Sequence, residues 1–186
     1  MKIGIGSYRC FNHVRAVDIR PLTLLVGENS TGKSSFLAGL RFINELFERG
    51  ANPSFNKDPY SLGSFKDIAH YRGGKAGRAD NFSFSIATSI SLRAARTSNG
   101  PRSRDVDIQL TFREVESQPS ISSIYFTSGD YRAEIVVGDT TTLSYQVPGM
   151  NEPRRVADEV WAPIIRRNIS NINAMGFLLR TAPKRC

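Results

Sequence analysis

The run Gly27-Glu28-Asn29-Ser30-Thr31-Gly32-Lys33-Ser34 places a glycine, four variable residues, a second glycine, a lysine and a serine in sequence. That is the G-x-x-x-x-G-K-[ST] spacing of a phosphate-binding loop. A polyphosphate needs several donors at once, and each residue type answers part of the need. Without side chains at Gly27 and Gly32, the backbone can curl its N–H groups inward. A helix starting at the end of the loop adds unpaired N–H groups and the positive end of its dipole. Lys33 offers a cation to the β and γ phosphates, and the Ser34 hydroxyl is a ligand for Mg²⁺. Ser35 lies one step further round the helix, where it can cap or pack. The expected ligands are ATP and Mg²⁺, held by residues 27–35.

Such a loop is expected between a buried strand and a helix, and both are predicted. Leu22-Thr23-Leu24-Leu25-Val26 is a compact apolar run ending at Gly27, suited to a strand buried on both faces. After the loop, Phe36, Leu37, Leu40, Ile43, Leu46 and Phe47 recur at helical spacing, predicting a helix from Lys33 to Glu48. Gly39 is its weak point, costing about 1 kcal/mol relative to alanine, and Gly50 is a plausible terminator. Upstream, Met1–Cys10 reads as a strand, Phe11–His13 as a turn and Val14–Ile19 as a second strand.

The rest of the chain is patterned differently. Residues 51–77 are rich in Pro and Gly and read as irregular, with a short helix within Leu62–Tyr71 packed by Phe65 and Ile68, and an exposed turn at Arg72–Arg78. Clean alternation then marks Asn81–Leu92, Asp105–Arg113, Ser120–Thr127, Tyr131–Val137 and Thr140–Val147 as antiparallel strands with one wet face. Glu152–Asn171 looks helical, with Trp161 as a core residue and Pro163 as a kink. The fold class is α/β with an antiparallel β-rich part: a strand, phosphate loop and helix followed by a β-meander. Four stretches follow: 1–50 with the strand pair, loop and helix; 51–80 as a glycine-rich link; 81–150 as the β-region; and 151–186 as a helical tail.

The chain of 186 residues carries a net charge of +8, and the excess is clustered. Arg72 to Arg104 holds seven basic residues and one acid, Asp80. Of these, Arg72, Lys75, Arg78, Arg93 and Arg96 are candidates for nucleic-acid contact, because such a surface favours an anionic partner. Cys10 and Cys186 form no CxxC pair, and His13 and His70 are too far apart for a zinc site; each histidine reads as a surface or structural residue. No apolar run approaches the roughly 20 residues that span a bilayer, and the start lacks a signal-peptide pattern. A cytoplasmic setting without membrane contact is the simplest expectation.

Hydrolysis normally needs an acidic residue after a buried strand and a group that orients water. No apolar run ends in Asp-Glu. Asp139 follows Ile135-Val136-Val137-Gly138, but within the antiparallel region, and Asp158-Glu159 follows no buried strand.

The opening MKIGIGSYRCFNHVRAVDIRPLTLLVGENSTGKSSFLAGLRFI resembles the start of ABC-type AAA ATPases, the chromosome-maintenance, recombination and OLD-like group. FNKDPYSLGSFKDIAHYRGG is similar to the region after the helix in bacterial members, some linked to phage defence. The resemblance implies that this chain is the first lobe of an ATPase head. It matches Gly27, Gly32, Lys33 and Ser34 to phosphate and Mg²⁺ positions, and Asn29 to a position facing the nucleotide. The family's γ-phosphate-sensing glutamine matches neither Gln109 nor Gln118 securely. The family's signature loop, Walker B acids and switch histidine belong to a second lobe, and none is recognisable here. The partners implied are a second lobe or subunit, a homodimer or larger assembly of heads, and DNA or an effector protein. The alternative is an inactive structural or regulatory module that binds protein or DNA. A small P-loop kinase or GTPase is disfavoured, because antiparallel strands replace the expected β–α units.

Overall fold

The computed structural model describes residues 1–47, 54–92 and 102–156. In chain order the elements are β1 (Lys2–Gly6), β2 (Arg15–Asp18), α1 (Lys33–Phe47), β3 (Asn56–Lys57), β4 (Tyr60–Ser61), α2 (Phe65–Ile68), β5 (Tyr71–Gly73) and β6 (Gly77–Arg78). The meander follows as β7 (Asn81–Leu92), β8 (Arg102–Val115), β9 (Gln118–Ser128), β10 (Tyr131–Val136), β11 (Thr142–Gln146) and β12 (Arg154–Val156). Eight strands form one antiparallel sheet in the order β12-β11-β10-β9-β8-β7-β1-β2. The five alternating segments of the sequence are β7 to β11.

Register turns alternation into a core. Ile3 and Ile5 lie opposite Ile86 and Phe84, while Phe84 and Phe82 lie opposite Leu110 and Phe112. With a period of two, all of them share one face of the sheet. Helix α1 covers this face with Phe36, Phe42, Ile43 and Leu46, all buried. Phe42 stacks on Phe55 at 3.8 Å between ring centroids and meets Phe112 edge-on at 5.6 Å. Phe82 and Phe112 stack at 4.9 Å across the strand pair. This aromatic cluster fixes the helix, and therefore the loop at its N-terminus.

Gly39 has a reason in this packing. A Cβ there would lie 3.0 Å from Phe84 Cε1 and 3.5 Å from Ile5 Cδ1. Glycine lets the helix backbone approach the sheet closely, at the expense of helix propensity. Further along α1, buried Glu45 pairs with Lys57 at 3.1 Å and with Arg41 at 3.8 Å. Arg41 also donates to the carbonyls of Ser54 (2.8 Å) and Lys57, tying the helix to the β3–β4 hairpin.

Two expectations need correction. Leu22–Val26 is irregular rather than a strand, and it is not buried: Leu22 and Leu24 are 78% exposed and Val26 is 89% exposed. A buried strand needs backbone partners and covered faces. The sheet ends at β2, and among the described residues nothing pairs with this run. Secondly, the helix predicted from Glu152 begins instead with β12, whose residues pair with Leu143–Tyr145 at the edge of the sheet. The rest of that prediction, Trp161 included, lies outside the described residues, as do Gly50, Arg93 and Arg96. The short helix within 62–71 is present as α2, with Phe65 and Ile68 buried. The stretch expected to be irregular also contains the hairpins β3–β4 and β5–β6. No described helix is long and apolar enough to cross a membrane.

Candidate functional site

The loop between Val26 and α1 is shaped by its own backbone. Gly32 has φ +96°, a region that favours glycine, and a Cβ there would lie 2.3 Å from Cys10 Sγ and 3.2 Å from Phe11 Cζ. A side chain there would have to displace the Cys10 and Phe11 side chains and hold a backbone conformation that favours glycine. The Gly32 carbonyl accepts the first helical bond, from Phe36 N–H at 2.8 Å. The N–H groups of the first helical turn are then left without partners inside the helix. Thr31 Oγ1 donates to the Glu28 carbonyl at 2.9 Å. Lys33 Nζ reaches back to the carbonyls of Gly27 (2.7 Å) and Glu28. Its ammonium is thus held over the loop and able to exchange these carbonyls for a stronger, charged acceptor.

Asn29, Ser30, Gly32, Lys33, Ser34 and Ser35 line a cavity of about 680 Å³. Of the other residues predicted for the site, Gly27, Glu28 and Thr31 make the loop's internal hydrogen bonds. The opposite wall comes from segments that the motif did not indicate: Arg9 and Cys10 from the β1–β2 turn, then Asp67, His70, Tyr71 and Arg78. Arg78, a nucleic-acid candidate on charge together with Arg72 and Lys75, lines the same cavity as Lys33, while Arg72 and Lys75 are exposed on the β5–β6 hairpin.

The two segments of that opposite wall, the β1–β2 turn and the stretch 67–70, are joined to each other by backbone bonds. Tyr8 forms a bridge with Ala69, Arg9 N–H donates to the Ile68 carbonyl at 2.7 Å, and His70 N–H donates to the Ser7 carbonyl at 2.9 Å. Side chains extend the join. Arg9 Nη1 donates to the Asp67 carbonyl at 2.8 Å, and His70 Nδ1 lies 2.7 Å from the Arg9 carbonyl. A carbonyl only accepts, so Nδ1 carries the hydrogen. Tyr8 links this turn to the start of α1 by donating from its hydroxyl to the Ser35 carbonyl at 3.2 Å. Burial raises the proton affinity of that phenol well above its usual value.

Charge in the cavity favours an anion. Arg9, Lys33 and Arg78 contribute three cations, against the single carboxylate of Asp67. Hydrogen bonds from the Ser64 hydroxyl and the Ser64 N–H, each 2.8 Å, hold the Asp67 carboxyl below its usual range. That carboxylate is therefore ionised at neutral pH and engaged in capping α2. The arrangement can take a multiply charged anion at the helix N-terminus, with cations on two sides.

The family comparison covers more than this loop. Residues 1–148 match the family described as AAA ATPase domain. The chain belongs to the AAA ATPase domain family. The match spans the N-terminal strand pair, the loop, α1 and the strands through β11, consistent with the N-terminal lobe of an ABC-type AAA ATPase. No curated protein and no solved structure matches the chain. Membership of the AAA ATPase domain family makes ATP the nucleotide to test against the cavity, usually with Mg²⁺. The residues present fit such a group: a glycine cradle without room for a Cβ, a lysine over the loop, and a serine at the helix start that lines the cavity.

Proposed function

We propose that this AAA ATPase domain binds ATP with Mg²⁺ at residues 27–35, as the first lobe of a composite ATPase. Lys33 and the N–H groups of the loop and first helical turn would hold the phosphates, with Ser34 as a protein ligand to Mg²⁺ and Asn29 facing the nucleotide. Bound Mg²⁺ would neutralise phosphate charge. The cavity that joins the loop to Arg9 and Arg78 carries this reading, because it adds charge complementarity to the motif.

The second half of the proposal concerns hydrolysis. The run Leu22–Val26, which leads directly into the loop, is apolar and uncovered. A second lobe or subunit that pairs with this run would bury it. The same lobe would bring acidic and signature residues to the nucleotide, and heads would associate as a homodimer or larger assembly. Resemblance to chromosome-maintenance, recombination and OLD-like proteins favours a role in DNA repair, recombination or phage defence. ATP turnover by the purified chain tests the composite site. The expected result is phosphate release no faster than that of Lys33→Ala. Turnover that Lys33→Ala abolishes would show that the chain completes its own site.

A further inference from the structure

Tyr71 is an aromatic residue left out of the aromatic core. The core's rings, from Tyr8 and Phe36 to Phe112 and Phe126, are buried together, whereas Tyr71 is 55% exposed and lines the same cavity as Lys33 and Ser34. Its cross-strand partner in the β5–β6 hairpin is Arg78. The Arg78 guanidinium lies over the Tyr71 ring, 5.3 Å from its centroid, and its Nη1 donates to the Ala69 carbonyl at 3.0 Å. The ring is therefore steadied from one side by a cation that is itself tethered. Ala79 N–H donates to the His70 carbonyl at 2.9 Å, which closes the base of the hairpin, and His70 N–H donates in turn to the Ser7 carbonyl at 2.9 Å, which ties that base to the β1–β2 turn.

We propose that the Tyr71–Arg78 pair is the nucleoside-recognising wall of the cavity, with the Tyr71 ring taking the base of the bound nucleotide by stacking. The proposal rests on the reading of residues 27–35 as the phosphate site. Phosphates gain little from a neutral ring, whereas every nucleobase has a π-face that an aromatic side chain can cover. Arg78 makes the ring ready beforehand, since a side chain already held in place loses less freedom on binding. Its positive charge beside the cavity also suits a polyanionic ligand. Stacking reads a flat surface rather than hydrogen-bonding groups, so this wall selects nucleotides over bare polyphosphate and distinguishes poorly between purines.

The test compares two probes on the full chain: ATP with Mg²⁺, and tripolyphosphate with Mg²⁺. Tyr71→Ala is expected to weaken ATP at least about fivefold, the lower end for loss of a stacked base, and to leave tripolyphosphate within about twofold. Tyr71→Phe keeps the ring and should retain ATP affinity. GTP should weaken in parallel with ATP in Tyr71→Ala. Equal weakening of both probes, or ATP affinity indifferent to Tyr71→Ala, would overturn the proposal while leaving the phosphate site intact. If Lys33→Ala weakened neither probe, or the wild type bound neither, the phosphate-site reading would fail first and this proposal with it.

Discussion

Lys33 and Tyr8 both make their hydrogen bonds at the start of α1. Lys33 sits over the loop because it is the first residue of α1, and the first turn of that helix is tied to the β1–β2 turn through the Tyr8 hydroxyl. The buried phenol holds its proton more tightly than it does in the unfolded chain, whose tyrosines titrate near pH 10. Its contribution to stability is thus fully present below about pH 10 and falls as pH rises above that value. Tyr8→Phe is expected to lower stability by about 1 kcal/mol at neutral pH, for the lost hydrogen bond. It should also be less sensitive to alkali than the wild type. Denaturant titration at pH 7 and in steps above pH 10 checks both; a parallel alkaline decline in the two proteins would contradict the account. The loop itself was legible because its chemistry is contiguous in the chain. Arg9, His70, Tyr71 and Arg78 were not, because a pairing between residues 61 positions apart brings them to the site.

Among the elements, α1 and the meander were the most legible. Period two in β7 to β11 and period 3.6 in α1 each follow from burying one face. Gly39 was misleading in isolation, since propensity marks it as a weakness and only the contact with Phe84 and Ile5 explains it. Those neighbours are fully buried and have little room to move. Gly39→Val is expected to destabilise the fold by roughly 1–3 kcal/mol, the usual range for overpacking a filled core. Denaturant unfolding monitored by circular dichroism measures it. A stabilised Gly39→Val protein would mean that α1 does not lie this close to the sheet. The helix expected at Glu152 gave way to β12 because an open sheet edge offered Arg154–Val156 backbone partners that local pattern does not register.

Across the whole molecule, the apolar run before the loop is the least settled in its surroundings. Local hydrophobicity marks Leu22–Val26 for an interior, whereas the structure leaves the run exposed, and pattern alone says nothing about which chain would supply a cover. Since Leu24 and Val26 are exposed here, changing both to lysine should alter the stability of the chain by no more than about 0.5 kcal/mol for each surface change. The double variant should also be less prone to self-association, having lost an exposed apolar segment. Denaturation together with sedimentation at several concentrations tests this; a loss above roughly 3 kcal/mol would place the run in the core instead.

The central claim is that this lobe carries a working phosphate site, and isothermal titration of the purified chain with ATP and Mg²⁺ tests it most directly. The account predicts saturable binding to the wild type and its loss in a folded Lys33→Ala variant. Binding of equal strength in the two proteins, or none to a folded wild type, would contradict it.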